Sequence, residues 1–168
     1  MSWGAPAEAR GANSRVFDKM KLTKTSTQAA LALVYLSERR DEGPTQARQV
    51  AEHLKVPTDS ALKVLQALVR HDLLRSQLGR SGGYRLQRDP ATVTLLQIIE
   101  AIDGPVRVEL PAHVHGQDQW TGPAQVLGEV CQCVTSQTRQ QLQRITVVQL
   151  ARESEPADGP ARTPLATV

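Results

Sequence analysis

Apolar and polar positions recur with helical spacing three times in the first half of the chain, then with strand spacing twice, then with helical spacing again. The first period centres on Ala29-Ala30-Leu31-Ala32-Leu33-Val34-Tyr35-Leu36, apolar almost all round. That pattern predicts a buried helix, capped by Thr23 or Thr25 and running to about Arg40. Glu42-Gly43-Pro44 closes the connection, and Thr45 is read as the cap of the next helix. There Ala47, Val50, Ala51 and Leu54 lie at i, i+3, i+4 and i+7, one apolar face. Pro57 stops that helix, because the residue before a proline is pushed out of the helical region. Thr58 is the expected cap of a third helix reaching about Arg70. Its inner face is read as Ala61, Leu62, Leu65, Leu68 and Val69, and its outer face as Asp59, Lys63, Gln66 and Arg70.

The period then shortens. Leu73 to Leu78 and Tyr84 to Arg88 predict two strands around a Gly-rich tip, Gly79-Arg80-Ser81-Gly82-Gly83. Helix, tight turn, helix, strand, Gly-rich tip, strand is the layout of a winged helix-turn-helix, which sets one helix and one hairpin on duplex DNA. The third helix alone would be an ordinary surface helix, since charged outer faces are the norm. The adjoining hairpin changes that reading, because its tip brings arginine and close backbone approach to phosphates and to the minor groove. The DNA-binding candidates are Thr45 before the second helix, and Thr58, Asp59, Ser60 and Lys63 on the third. On the wing they are Arg80, Ser81, Gly82, Gly83, Tyr84 and Arg85.

Beyond the wing, Thr94 caps a helix with Leu95, Leu96, Ile98, Ile99 and Ile102, ended by Gly104-Pro105. Residues 106–122 have no clean period and read as a loop. A long helix follows over residues 123–145, with Pro123 near its first turn. Leu127, Val130, Cys131, Val134, Thr138, Leu142 and Ile145 form a stripe with spacing near 3.5, a helix–helix packing seam. The fold class is therefore mainly α with a small β wing: a winged helix-turn-helix plus a long C-terminal helix. Four segments follow. Residues 1–19 are a disordered N-terminal extension and 20–88 the DNA-binding domain. Residues 89–152 are a linker helix, loop and dimerisation helix, and 153–168 a disordered tail.

Charge and composition sharpen the picture. Aromatics are 3% of the chain, so the core must be aliphatic. From Met20 to Arg88 there are 12 Lys/Arg against 6 Asp/Glu, and from Asp89 to Val168 there are 5 against 9. One half is basic and the other acidic, as expected if only the first meets a polyanion. No run approaches the roughly 20 apolar residues of a membrane helix, and the N-terminus lacks the apolar region of a secretory signal. The only cysteines, Cys131 and Cys133, cannot build a disulfide framework, so a reducing, cytoplasmic setting is the default expectation. They sit about 200° apart on a helix. Cys131 alone falls on the seam, either as a small buried hydrophobe or as a thiol switch if it meets its copy across a two-fold axis. His113 and His115, with Asp118, are weak metal-ligand candidates, because their spacing is loose and no fourth ligand is evident. The commoner reading is two loop histidines in solvent. No nucleophile–base arrangement stands out, and Gly79 to Gly83 lacks the Gly-Lys-Ser/Thr ending of a phosphate-binding P-loop, so an enzyme is not expected.

The combined pattern resembles the Rrf family of bacterial winged-helix transcription regulators, the IscR/NsrR-like group. The resemblance rests on Met20-Lys21-Leu22-Thr23, Gln49-Val50-Ala51-Glu52 and Lys63 to Leu68 through Leu73-Leu74. It rests above all on Gly79-Arg80-Ser81-Gly82-Gly83-Tyr84-Arg85-Leu86 followed by Val93 to Pro105. It implies a homodimer that binds double-stranded DNA at an inverted-repeat operator, usually as a repressor, with the long helices packed on each other. Leu127, Val130, Cys131, Val134, Thr138 and Leu142 would then face the partner. This chain departs from its relatives at Ser60 and Ala61, where an aromatic and a leucine are common. It also lacks cysteines in residues 106–122, where many relatives ligate an iron–sulfur cluster with three. No cofactor is therefore expected, the cluster being held chiefly by thiolates. The effector would be an unknown small molecule or protein. An alternative reading is a partner-modulated regulator whose long helix holds another protein.

Overall fold

A computed structural model describes residues 22–79, 81–108 and 121–152. The expectations for residues 1–19 and 153–168, for Arg80, and for His113 and His115 lie outside the described residues.

Helix α1 (Lys24–Glu38) is the spine of the fold. Thr23 caps it: its Oγ1 accepts from the Ser26 N–H at 3.0 Å and donates to the Asp103 carboxylate at 2.9 Å, tying the start of α1 to a residue 80 positions on. The apolar run is buried as its all-round character predicts, except Leu31, which is 48% exposed. Against α1 pack α2 (Ala47–Leu54) and α3 (Thr58–Arg70), the two helices of the helix-turn-helix.

Two caps differ from expectation. Thr45 does not cap α2; Gln46 stands at the N-cap, and the Gln49 side chain accepts from the Gln46 N–H at 2.9 Å. Thr45 is instead 5% exposed and used as a miniature strand, its backbone paired both ways with Tyr84. Thr58 is the first residue inside α3, and Pro57 is the N-cap, where its missing N–H costs nothing. The turn between the helices is closed by the Lys55 N–H donating to Glu52 O (3.2 Å) and the Val56 N–H to Ala51 O (3.0 Å). That is the Schellman pattern, with Lys55 left-handed at φ 53°. Helix α3 ends the same way: Leu73 N–H donates to Leu68 O (3.0 Å) and Asp72 N–H to Val69 O (3.1 Å), with Asp72 at φ 56°. A side chain in that conformation is strained and glycine is not. Asp72→Gly is therefore expected to raise stability by about 0.5–1 kcal/mol, or a Tm increase of roughly 2–4 °C. A lower Tm by calorimetry would contradict the strain assignment.

On α3 the buried face is Ala61, Val64, Leu65 and Leu68. Val64 was not on the expected inner face, while Leu62 and Val69 are only half-buried. Leu65 and Leu68 are fully enclosed, each stabilising the fold by about 1.5–3 kcal/mol through burial.

The hairpin follows at once. Strands β1 (Leu74–Gln77) and β2 (Gly83–Leu86) pair antiparallel in the register Leu74↔Leu86, Arg75↔Arg85, Ser76↔Tyr84, Gln77↔Gly83. Leu74 anchors the hairpin in the core at 1% exposure. Helix α4 (Leu95–Asp103) starts at Thr94, whose Oγ1 accepts from the Gln97 N–H at 3.3 Å, and stops at Gly104, φ 86°. Helix α5 (Thr121–Arg144) runs back along α4, held by the Glu100–Arg139 ion pair. Helix α6 (Val147–Arg152) returns to α1, with Val147 fully buried and its N–H bonded to Val93 O at 3.0 Å. One core thus joins Leu33, Leu65 and Leu68 to Val93, Ile98 and Val147, so both halves of the sequence share it.

Candidate nucleic-acid interface

The outer edge of α3 is set by its core-facing residues. Because Ala61, Val64, Leu65 and Leu68 are turned inward, the 3.6-residue period turns Asp59, Lys63, Gln66 and Arg70 outward, and all four are exposed. Thr58 is exposed beside them and Ser60 is half-buried. Among the described residues, none of Asp59, Lys63, Gln66 and Arg70 has a side-chain hydrogen-bond or ion-pair partner. The first amides of α3 have no acceptor inside the helix, and its N-terminus carries partial positive charge. A rigid helix with free donors along one edge has the size and chemistry for a major groove.

The wing stands beside α3, and its residues divide into two sets. Ser76, Gln77, Leu78, Gly79 and Ser81 are exposed. Leu78, at 96% exposure, is the most exposed large apolar side chain among the described residues and was missed by the sequence reading. Its signal was its place: an apolar residue at the end of β1, next to a turn glycine. Apolar side chains so placed serve elsewhere as wedges against sugars and base steps.

The other set, Gly82, Gly83, Tyr84 and Arg85, packs against the rest of the chain and holds the wing in place. Gly82 is buried in the turn, and its N–H already donates to Gly79 O at 2.9 Å, so it is not open to a phosphate. A Cβ on Gly82 would stand 2.2 Å from Gln77 O, and one on Gly83 would stand 2.5 Å from Thr45 O. Tyr84 is half-buried, with its N–H donating to Thr45 O at 2.8 Å and its carbonyl accepting from the Thr45 N–H at 3.0 Å. Arg85 is half-buried and points to the C-terminal end of α1, donating to Arg40 O at 3.4 Å. Thr45, buried beneath this bridge, is likewise a positioning residue.

The long helix carries the candidate self-association face. Leu127 and Val130 are 49% and 53% exposed, and Val126 beside them is 59% exposed. Cys131, Val134 and Thr138 are half-buried, while Leu142 and Ile145 pack onto the chain's own core. The stripe read as one seam is therefore used twice, its C-terminal end internally and its N-terminal end open.

Comparison with known proteins agrees with this geometry. The family model for Rrf2, described as an iron-dependent transcriptional regulator, matches residues 22–153. A Synechocystis protein named as an HTH-type transcriptional regulator, slr0846, is 32% identical over 100 residues, spanning 60% of this chain and 66% of its own length, just under two thirds. The Mycobacterium tuberculosis regulator Rv1287 is 24% identical over 132 residues, covering 79% of this chain and 81% of its own. Among solved structures, CymR, the global cysteine regulator of B. subtilis, superposes with a TM-score of 0.64 at 19% identity, covering 81% of this chain and 99% of its own. IscR of T. potens gives 0.63 at 20% identity, covering 85% and 94%.

The iron in that family description meets a poor donor set here. The chain has two cysteines, and Cys131 and Cys133 stand two residues apart on α5, facing nearly opposite sides. Among the described residues no three His, Cys, Asp or Glu side chains come together as metal ligands. A thiolate-held cluster does not fit these residues.

Proposed function

The chain belongs to the Rrf2 family of transcriptional regulators, and on that premise we propose that it acts as a homodimeric repressor, binding an inverted-repeat operator through α3 and the wing. The observation that carries this reading is the edge of α3: four exposed polar side chains without internal partners, beside a hairpin anchored in the core. A charged outer edge alone is common on surface helices; its place beside the anchored hairpin is what supports the reading. The acidic half then faces away from the duplex and dimerises through the open end of α5. The exposed face of Val126, Leu127 and Val130 supports that assignment, because three neighbouring aliphatics at such exposure favour a cover. Signal reception works without a thiolate-held cluster.

Fluorescence anisotropy on promoter fragments across a salt series tests the reading. Affinity should fall steeply with salt, by about 0.9 logarithmic units per phosphate contact for each tenfold rise. Lys63→Ala should weaken binding to all sequences and reduce the slope by about one contact's share. A salt slope unchanged by Lys63→Ala removes Lys63 from the interface, and the absence of any salt-sensitive binding to duplex DNA removes the DNA reading itself. The open face of α5 would also suit a partner protein. Light scattering on the purified chain separates the two, since a monomer at micromolar concentration would favour the partner.

A further inference from the structure

A second basic feature lies behind the wing, away from the edge of α3. Arg75 and Arg85 are directly opposite in the β1–β2 ladder, on the face not used by Leu74 and Leu86. Like charges directly opposite in a ladder are destabilising, so the pairing calls for a compensating group. Two more arginines reach the same place from the end of α1, Arg39 and Arg40. Together with Leu36 and Gly43 the four line a polar cleft of about 180 Å³, several times the ~30 Å³ share of one water.

The charge around this cleft is only half balanced. Arg39 is fixed by Glu42 at 2.7 Å and lies over the Tyr35 ring at 4.8 Å, and Arg40 reaches Asp89 at 4.0 Å. Arg75 and Arg85 have no carboxylate partner among the described residues, and Arg85 donates one long hydrogen bond, 3.4 Å, to Arg40 O. Two guanidinium groups, each with planar donor forks, therefore flank a polar hollow rimmed by two more. Guanidinium forks match the geometry of oxyanions and bind them in pairs of parallel hydrogen bonds.

We propose that this cleft is an oxyanion site, taking a phosphate-like group between Arg75 and Arg85 with Arg39 and Arg40 at its rim. It does not depend on the assignment of α3. The phosphate can belong to the DNA backbone flanking the operator or to a free phosphorylated ligand; both present the same chemistry to the cleft.

The test uses the full chain and inorganic phosphate at constant ionic strength, followed by NMR of the arginine Nε–H groups. Saturable shifts are expected at Arg75 and Arg85, with Arg48, an exposed arginine paired to Glu52 on α2, as the internal control. Arg75→Gln should weaken phosphate binding about tenfold, the ratio expected for one lost charge-assisted hydrogen bond. Arg75 is exposed, so its loss leaves the fold intact, and Arg75→Lys should restore part of the affinity. Adding duplex DNA to the phosphate-bound protein separates the two sources. Displacement of phosphate assigns the cleft to the DNA backbone, and retention in the DNA complex assigns it to a free ligand. Linear, unsaturable shifts at Arg75 and Arg85 no larger than at Arg48 overturn the proposal, as does phosphate affinity unchanged in Arg75→Gln.

Discussion

Gly83→Val is expected to lose about 2–4 kcal/mol of stability and to uncouple the wing from the helices. The cause is a contact, not a conformational preference. A Cβ at Gly83 would stand 2.5 Å from Thr45 O and 2.7 Å from Thr45 C, and both atoms are backbone. Neither can turn aside as a side chain would, so β2 must move away from the segment before α2. The move breaks both Thr45–Tyr84 hydrogen bonds, at 2.8 and 3.0 Å, each with a net contribution of about 1 kcal/mol. It also opens the buried site of Thr45, which is 5% exposed in the intact fold. Urea unfolding gives the stability loss. Anisotropy on the same variant should show weaker DNA binding with a shallower salt slope, because the wing's phosphate contacts are no longer held in register with α3. A variant within about 0.5 kcal/mol of wild type, the usual range for surface substitutions, would mean that the bridge does not anchor the wing.

If the chain dimerises through α5 as proposed, Leu127→Glu with Val130→Glu is expected to convert the dimer to a monomer without unfolding it. Both side chains are about half exposed within one chain, so the charges meet water there; their mutual repulsion three residues apart costs about 0.2–0.5 kcal/mol, and the larger penalty arises across a dimer interface. A dimer on two half-sites gains from effective concentration, and losing that link costs about 100- to 10,000-fold in apparent affinity. Light scattering should report one chain per particle, and anisotropy on a full operator should fall to the affinity of a half-site. Helicity by circular dichroism should stay at the wild-type level. A variant that still scatters as a dimer and binds with unchanged affinity would place the interface elsewhere.

Much of this fold is legible residue by residue. The spacing of Val50, Ala51 and Leu54, the stop at Pro57, the cap at Thr94 and the end at Gly104 each depend on neighbours within a turn or two, and the structure follows them. The outer stripe of α3 was legible for the same reason: once a helix is amphipathic, its exposed edge is determined by the period. The misread caps share one cause. Thr45 has the chemistry of a helix cap, and nothing within four residues says that its backbone is already paired with Tyr84, thirty-nine positions on. Thr58 was displaced from the cap because Pro57 fits there without loss.

The sequence by itself therefore determined the helices, the turn between them, the Gly-rich hairpin and the basic character of one half. Those features follow from periods and turn residues that act locally. Only the tertiary structure decided what the wing residues do. It closed Gly82 and Gly83 against backbone and buried Thr45 under Tyr84. It brought Arg39 and Arg40 to the cleft of Arg75 and Arg85, and it divided the α5 stripe between the core and an open face. Each of those outcomes depends on which distant segments share a volume, and that is settled when the common core forms around Leu33, Leu65 and Ile98.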